Sequence, residues 1–302
     1  MNKTWISALA FAAAALAGSA RAADLPSMKA PPVILPPPLT WTGAYFGANV
    51  GGVFDASSGV TTTTGPLFDD TGNNSGAGFG PTTFGSVAAA ALANKASLSG
   101  AGVIGGGQIG YNWQFNNFVA GLEADIQGTT LSSAAKAFGS VTEPTTGSLV
   151  SAQSNLSKDL RYLGTVRGRL GFLVTPTLLI YGTGGLAYGG MNFSNGVFIS
   201  SSNPAFPISA VSANYGDAHV GWTVGGGGEW LFMPNWSAKV EYLYYDLGSI
   251  STTGVVATPF PGGNLLYAAG YRSSANFNGH IVRAGVNYHF HWFAPAPVLA
   301  KY

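Results

Sequence analysis

Apolar and polar residues alternate in the segment HIVRAGVNYHF, residues 280–290. Val282 and Val286 belong to its apolar set, whereas Arg283 and Asn287 belong to the polar set between them. A period of two indicates a β-strand whose faces meet different surroundings. In a soluble sheet the apolar face packs on a core, and in a membrane barrel it faces lipid.

The same alternation recurs from Trp41 onward and predicts eight strands. Each candidate is at least as long as the about 9–11 residues that a tilted strand needs to cross a bilayer. The predicted strands are residues 41–54, 101–115, 118–128, 160–174, 178–193, 219–232, 236–247 and 280–290.

Short and long connections alternate between these strands. The short ones are 116–117, 175–177 and 233–235, and the long ones, rich in Ser, Thr, Gly and Asn, are roughly 55–100, 129–159, 194–218 and 248–279. Short turns on one side and long polar loops on the other are typical of outer-membrane barrels. The predicted fold is therefore all-β: an eight-stranded antiparallel transmembrane up-and-down β-barrel with short periplasmic turns and long external loops.

The short turns also predict which residues share a face, because cross-strand partners lie on the same side of a sheet. Around 116–117, Gln108 falls on the face of Asp125; around Pro176, Arg169 falls opposite Thr183. The register places most strand charges on the inward face. These charges are Glu123, Asp125, Arg161, Arg167, Arg169, Glu229, Lys239, Glu241 and Arg283.

The inward charges allow two interpretations. Buried charges must be paired, and an eight-stranded barrel has an interior that side chains just fill, so a network of salt bridges that closes the lumen is favoured. The expected pairs are Glu229 with Lys239, Glu123 with Arg169 and Asp125 with Arg167. The alternative is a ring of charges that selects ions in a narrow pore.

Outward aromatic residues cluster beside the short turns, which indicates an aromatic girdle at a membrane interface. Its predicted members are Trp113, Phe115, Phe118, Phe172, Trp230, Phe232, Trp236, Tyr288 and Phe290. A second set, Tyr188, Trp222, Tyr242 and Tyr244, is expected at the other interface.

Composition agrees with a membrane location. Only 8% of the 302 residues are charged, against about 25% in ordinary soluble domains. The formal net charge of +1 argues against nucleic acid as a partner, and the absence of Cys excludes disulfides and thiolate chemistry.

The N-terminus predicts secretion. A short basic start, the apolar stretch 6–18 and the small residues Ala20 and Ala22 indicate a signal peptide over residues 1–22, cleaved after Ala22. A Pro-rich stretch, residues 23–40, suits an extended periplasmic tether. The predicted barrel then covers 41–290, and a C-terminal extension covers 291–302.

The strand motifs resemble the porin-like outer-membrane β-barrel family, whose members include outer-membrane immunogenic and opacity-type surface proteins related to the OmpA/OmpX-type small barrels. The similar stretches are WTGAYFGANVGG, GLEADIQG, VRGRLGF, LLIYGTGGLAYG, VGWTVGGGGEW, VEYLYYDLG and HIVRAGVNYHF. The resemblance spans about residues 41–290 and implies the outer membrane of a Gram-negative cell. It also implies a terminal aromatic assembly signal, which maps to Phe290, although twelve residues follow it here.

Catalytic chemistry is weakly represented, and no catalytic residue, cofactor or metal site is predicted. His289 and His291 could form a metal pair, but two ligands are too few for a site. His219 near Ser212 is the candidate for a lipid-modifying enzyme site. The Gly-rich stretches 105–110 and 182–189 lie inside strands with no following helix, so they are not phosphate loops.

The leading hypothesis is a non-enzymatic, structural and surface-exposed barrel of the outer membrane with a lumen closed by paired charges. The alternatives are a narrow porin-type channel for small hydrophilic solutes, a barrel enzyme that uses His219, and a soluble secreted β-protein. The expected partners are outer-membrane lipid, the barrel-assembly machinery, and an external ligand or host surface bound through the loops.

Overall fold

The computed structural model describes residues 39–69, 84–144, 147–204, 208–259 and 265–290. The predicted signal peptide with Ala20 and Ala22, most of the predicted tether, and the predicted C-terminal extension lie outside these residues. Within them the chain forms antiparallel strands and one helix, which confirms the all-β antiparallel class. The helix is α1 (Phe84–Leu92), and no described helix combines the length and the hydropathy of a membrane-spanning helix.

The strands belong to one sheet of eleven strands. They are β1 (Gly43–Asp55), β2 (Gly59–Asp69), β3 (Asn94–Ser97), β4 (Ala101–Phe115), β5 (Phe118–Thr129), β6 (Ser132–Thr142), β7 (Leu149–Thr175), β8 (Leu178–Ser201), β9 (Ser209–Met233), β10 (Trp236–Pro259) and β11 (Leu265–Phe290).

Strand pairing closes on itself. β1 pairs with β4 along one edge and with β11 along the other. The pairing path runs β1, β4, β5, β7, β8, β9, β10 and β11, and then returns to β1. The remaining strands extend this ring, because β2 pairs with β11 and β3, and β6 pairs with β7.

The prediction of long polar loops is wrong for much of their length, since strands continue into them. β7 to β11 contain 24 to 27 residues each. The first long connection holds β2, α1 and β3, and the second holds β6. The physical reason is that β-branched residues, Thr among them, favour strands. Buried residues such as Val197 and Ile199 continue the two-residue alternation in these segments.

The short turns and their registers are confirmed. Gln108 lies opposite Asp125, Arg169 opposite Thr183, and Lys239 opposite Glu229. Asn116 in the first turn has a φ of 54°, in the left-handed region that Asn tolerates in tight hairpins.

A β-bulge between Leu160 and Tyr162 divides β7 into two parts with opposite facing. After the bulge, toward Thr175, odd-numbered residues such as Arg167 are buried. Before the bulge, toward Leu149, even-numbered residues such as Lys158 are buried. We call the part of the fold next to the three short turns the turn half. The distal half comprises the described residues within 56–100, 130–160, 190–221 and 247–279.

The interior is layered along the strands. Nearest the short turns is the turn-side cluster, which comprises Trp41, Val119, Leu173, Leu179, Tyr181 and Leu231. The charged residues follow. Next is the central cluster of buried apolar residues, with Val53, Ile104, Leu163, Leu243, Phe277 and Ile281 among its members. The distal cluster packs α1 residues, including Val87 and Leu92, against Val150, Val197, Val256 and Tyr267.

The outer face of the turn half is apolar. Leu170 is 73% exposed, Ile109 is 65% exposed and Val240 is 62% exposed, all on strands whose opposite face is buried and polar. Such a surface is inside out relative to a soluble sheet, because the large apolar side chains face away from the interior.

Candidate functional site

The candidate site is a network of charged side chains on the inner face of the turn half. Its members come from five strands, and each residue is at most 5% exposed. They are Glu123 and Asp125 on β5, Arg167 and Arg169 on β7, Glu229 on β9, Lys239 and Glu241 on β10, and Arg283 on β11. We call these eight residues the charge network.

Arg167 lies at the centre of the charge network. Its guanidinium contacts Glu123 at 2.5 Å, Asp125 at 2.9 Å and Glu241 at 3.0 Å. A planar guanidinium offers five donors in a fixed fork, so it can bridge several carboxylates at once. Arg167 Nε also donates to the hydroxyl of Thr165 at 2.8 Å.

The other cations complete the pairing. Arg283 contacts Glu241 at 2.5 Å and Asp125 at 2.9 Å, and Lys239 contacts Glu123 at 2.8 Å. Arg169 contacts Glu229 at 2.6 Å and lies 4.3 Å from the ring centre of Tyr181, within cation–π range.

The charge network is electrically balanced, with four carboxylates and four cations. The sequence predicted a fifth cation, Arg161, and that prediction is wrong, because Arg161 is exposed. The bulge between Leu160 and Tyr162 adds one residue to the strand, so the side chains beyond it switch to the opposite face. Counting every second residue back from Arg167 therefore gives the wrong face for Arg161. A neutral interior avoids the several kcal/mol that an unpaired buried charge costs.

The expected pairs are only partly observed. Lys239 lies opposite Glu229 in register, yet its ammonium contacts Glu123. Asp125 does contact Arg167, but as a diagonal neighbour, because Glu123 is the residue opposite Arg167. Arg169 does form the predicted ion pair with Glu123, at 3.6 Å, but its shorter contact, at 2.6 Å, is with Glu229. Long side chains in a narrow interior reach strands that are not adjacent, so cross-strand register alone does not decide the partners.

Neutral polar groups fill the remaining positions around the carboxylates. Tyr45 donates its hydroxyl to Glu123 at 2.7 Å. Glu229 accepts hydrogen bonds from Ser237 at 2.5 Å and from Asn287 at 2.7 Å. His289 Nε2 lies 2.8 Å from the Ser237 hydroxyl.

The histidines considered as a metal pair or as part of an enzyme site do not have the neighbouring side chains that those roles need in the described structure. The imidazole of His289 packs among Trp41, Tyr45 and Ser237, while His291 lies outside the described residues. The part of the chain that the structure describes holds no cluster of metal-ligating side chains. His219 contacts the Tyr215 hydroxyl at 3.2 Å, and no contact with Ser212 accompanies it.

Apolar clusters bound the charge network on both sides. Trp41 covers the turn side: its indole nitrogen donates to the carbonyl of Pro176 at 3.1 Å, and its backbone nitrogen donates to Gln114. The central cluster, including Ile104, Leu243 and Ile281, covers the distal side, and these three side chains have no solvent exposure.

A second buried ion pair lies beyond the bulge and was not anticipated. Lys158 contacts Asp55 at 2.8 Å, and both side chains are at most 4% exposed. Asp55 also accepts a hydrogen bond from the backbone nitrogen of Gly100 at 3.0 Å. In β7 beyond the bulge the even-numbered residues are buried, and this alternation would have predicted a buried Lys158. The position of the bulge itself, however, has no signature in the sequence.

The predicted girdle residues lie beside the short turns. Seven are exposed and two, Tyr288 and Phe290, are partly buried. Several contact one another: Phe118 with Phe172 at 5.4 Å, Trp236 with Tyr288 at 5.2 Å, and Tyr288 with Phe290 at 5.1 Å between ring centres. The exposed group comprises Trp113, Phe115, Phe118, Phe172, Trp230, Phe232 and Trp236.

Aromatic residues also meet at the opposite end of the apolar face. Trp222 packs on Tyr244 at 5.4 Å, and His280 packs on both Tyr244 and Tyr242. The Tyr242 hydroxyl lies 2.7 Å from His280 Nδ1.

Comparison with known proteins identifies the family. Residues 8–290 match the family described as the outer membrane protein beta-barrel domain. The chain is 33% identical over 285 residues to the 31 kDa outer-membrane immunogenic protein of Brucella melitensis biotype 1, covering 93% of this chain and 98% of that protein. It is 30% identical over 148 residues to the 22 kDa outer membrane protein of Rhizobium leguminosarum bv. viciae, covering 48% of this chain and 53% of that protein.

Among solved structures, the outer membrane protein OprG from Pseudomonas aeruginosa aligns with 82% of this chain and 97% of its own, at 9% identity and a TM-score of 0.32. The family match and the Brucella relative both span most of the chain, which confirms the resemblance and the predicted location. This chain therefore belongs to the outer-membrane β-barrel protein family, and it is a protein of the outer membrane.

Proposed function

We propose that this protein is a non-enzymatic, structural component of the outer membrane that spans it as an eight-stranded β-barrel with a closed interior. The observation that carries the proposal is the balanced charge network, enclosed between the turn-side cluster and the central cluster. Four acids and four bases form ion pairs with one another, and apolar side chains occupy the interior on either side of them.

The outer face supports a membrane span through the turn half. Trp222 and Phe232 on β9 lie at the two ends of the exposed apolar face, ten residues apart. Ten residues of strand extend about 33 Å. A tilt of about 40° shortens this to the about 25 Å of a bacterial outer-membrane apolar band.

The orientation follows from the connections. Short turns face the periplasm in outer-membrane barrels, so the distal half projects from the cell. Its long strands, α1 and the exposed residues on them form the surface that external ligands or host molecules would meet. The name of the Brucella relative, an immunogenic protein, agrees with such a projection. Lipid surrounds the apolar face, and the assembly machinery handles the chain during biogenesis.

A pore needs a continuous water path along the barrel axis. In this interior, a solute would meet Trp41 and Leu231 first, then the eight paired charges, and then Ile104, Leu243 and other residues of the central cluster. Passage would require displacement of apolar side chains at two levels and separation of ion pairs between them. The packing therefore favours a closed barrel over the narrow channel.

Single-channel conductance in a planar bilayer tests the proposal. The mature protein is refolded, its folding is confirmed by the heat-dependent gel shift, and a channel-forming peptide added afterwards verifies the bilayer. We expect no discrete steps from the folded protein. Steady steps of uniform size would contradict the closed interior and favour the narrow channel for small hydrophilic solutes.

A further inference from the structure

The outward face of β6, β7 and β8 in the distal half carries two exposed aromatic residues among polar ones. Phe138 on β6 is 68% exposed and Phe198 on β8 is 43% exposed, and they are the exposed aromatic residues of the described distal half. Both lie opposite Gln153 of β7, so the three residues form one row across three paired strands. We call this face the distal wall and these three residues the aromatic row.

A depression with polar sides lies at the aromatic row. Its volume is about 430 Å³, and its lining includes Phe138, Gln153, Phe198, Ser140, Ser151 and Ser200. The side-chain nitrogen of Gln153 donates to the side-chain oxygen of Asn155 at 2.6 Å, and this bond holds both amides in place. A primary amide has two N–H donors and an acceptor oxygen, so after this bond both amides keep groups that a ligand can bond.

Backbone pairing leaves recognition at the aromatic row to side chains. β7 pairs with β6 on one side and with β8 on the other, and β8 also pairs with β9 at this level. The available groups are therefore two apolar rings, two amides and a row of hydroxyls. A pyranose sugar matches this set, because its C–H face packs on an aromatic ring while its hydroxyls exchange hydrogen bonds with amides. The two rings stand two strand spacings apart, about 9.6 Å, which is close to the length of two linked pyranose units.

The aromatic row lies well outside the apolar band. Gln153 precedes Val166, on the apolar outer face, by thirteen residues of β7. Thirteen residues of strand at a tilt of about 40° rise about 33 Å along the membrane normal. At this height the side chains of the distal wall point sideways, toward whatever stands beside the barrel in the outer leaflet.

Exposed cations lie on the distal wall between the aromatic row and the membrane. Lys136 lies opposite Asn155, one row nearer the membrane than the aromatic row, and Arg161 lies nearer still. Asp159 lies between these cations, but it is partly buried and accepts a hydrogen bond from Ser157 at 3.3 Å. The wall therefore presents positive charge close to the membrane and neutral rings and amides farther out.

We propose that the distal wall binds the sugar chain of lipopolysaccharide from the same outer membrane. The aromatic row stacks on saccharide rings, and Lys136 and Arg161 lie beside acidic groups nearer the lipid. Lipopolysaccharide matches this order, because it carries its phosphates and acidic sugars next to the lipid and neutral sugars beyond them. A host surface would first meet the outer ends of the strands rather than the wall. The inference rests on the proposed function, because the distal half must project from the cell to reach these sugars.

A second copy of the chain matches the distal wall less well. In a dimer with its two-fold axis along the membrane normal, the walls of the two copies would meet at equal heights. Lys136 and Arg161 would then approach the cations of the other copy. Two rings from each copy also supply well under the about 1,200–2,000 Å² that a stable interface buries.

Calorimetric titration of the refolded protein in detergent micelles tests the proposal. The probe is the polysaccharide that mild acid releases from the lipopolysaccharide of the producing cells. We expect saturable binding that Phe138→Leu weakens about tenfold or more, because Leu is apolar but has no flat ring to stack. Phe138→Tyr keeps the ring and should change the affinity less than about threefold, as should the control Val255→Ala on the exposed face of β10. Lys136→Gln should weaken binding and reduce its salt dependence.

The same measurements can overturn the proposal in three ways. These are absence of saturable binding by the folded wild type, equal affinities of Phe138→Leu and Phe138→Tyr, and tighter binding of heparin, a sulfated host-type glycan. If Phe138→Leu does not refold, Phe198→Leu replaces it. A dimer in sedimentation velocity that Phe138→Leu dissociates would overturn the proposal in favour of a second copy. Conductance steps would contradict the closed interior without changing these affinities, so the two failures are distinguishable.

Discussion

Arg283 and Glu241 lie directly opposite each other on β11 and β10, and two hydrogen bonds of 2.5 and 2.8 Å join their side chains inside the barrel. The Arg283 guanidinium also reaches Asp125 on β5, at 2.9 Å, so it joins carboxylates from two strands that are not neighbours. By pairing across the interior in this way, the charge network holds strands together that are not neighbours in the sheet.

Removal of the Arg283 side chain tests how much these contacts contribute to stability. We expect Arg283→Ala to lower the free energy of unfolding by about 3–5 kcal/mol, because it leaves Glu241 and Asp125 buried with incomplete compensation. Arg272→Ala on the exposed face of the same strand is the control and should change it by about 0.5 kcal/mol or less. Urea titrations in lipid vesicles measure both. Equal losses would show that Arg283 is not a buried partner.

The height of the apolar band can be tested with one substitution at two levels. Val166 in the turn half is 51% exposed, and Val255 in the distal half is 48% exposed. We expect Val166→Arg to cost about 2–4 kcal/mol, because it places a charge in lipid, and Val255→Arg to cost about 1 kcal/mol or less. Refolding midpoints in vesicles measure the difference, and matching midpoints would contradict the membrane assignment.

Thr165, the inward-facing residue next to Val166, should tolerate substitution less well than its place on the inner face alone suggests. Thr165 is 1% exposed and donates its hydroxyl to Asp125 at 2.9 Å. Thr165→Arg would add a fifth cation to a balanced and filled interior, so we expect it to prevent refolding, whereas Thr165→Ser should refold. The heat-dependent gel shift reports the outcome, and normal refolding of the Arg variant would indicate a water-filled lumen.

Trp41 should stabilise the turn-side end of the barrel in two separable ways. Trp41→Ala removes a fully buried indole and should cost about 3–5 kcal/mol. Trp41→Phe keeps most of the packing and loses the hydrogen bond to Pro176, which should cost about 1 kcal/mol. Urea titrations followed by the gel shift distinguish the two, and a harmless Trp41→Ala would mean that the turn-side cluster contributes nothing.

Helix α1 should stabilise the distal half alone. Leu92 has no exposure and packs in the distal cluster, so we expect Leu92→Ala to leave a cavity that costs about 2–5 kcal/mol. Vesicle-embedded protein should then be cleaved faster by added protease in the distal half, while the gel shift of the membrane-embedded part persists. Leu67→Ala, at a position that is 55% exposed, is the control and should be cleaved like the wild type.

The sequence by itself determined the faces and registers of the turn half. Asn116, Pro176 and Pro234 mark short hairpins, and a hairpin of known length leaves one register that keeps polar residues such as Gln108 and Asp125 together. Because side chains alternate strictly along a strand, this local rule was sufficient to place eight of the nine predicted charges inside.

Tertiary structure decided the rest. The bulge at Leu160 and Tyr162 turned Arg161 outward and Lys158 inward, and nothing in the local pattern marks it. Lys239 contacts Glu123 rather than Glu229, since the partner of a long side chain depends on the width of the interior and not on the adjacent strand. The supposed loops became strands around α1 because residues far apart in sequence bury one another there, and periodicity within a single segment carries no information about such contacts.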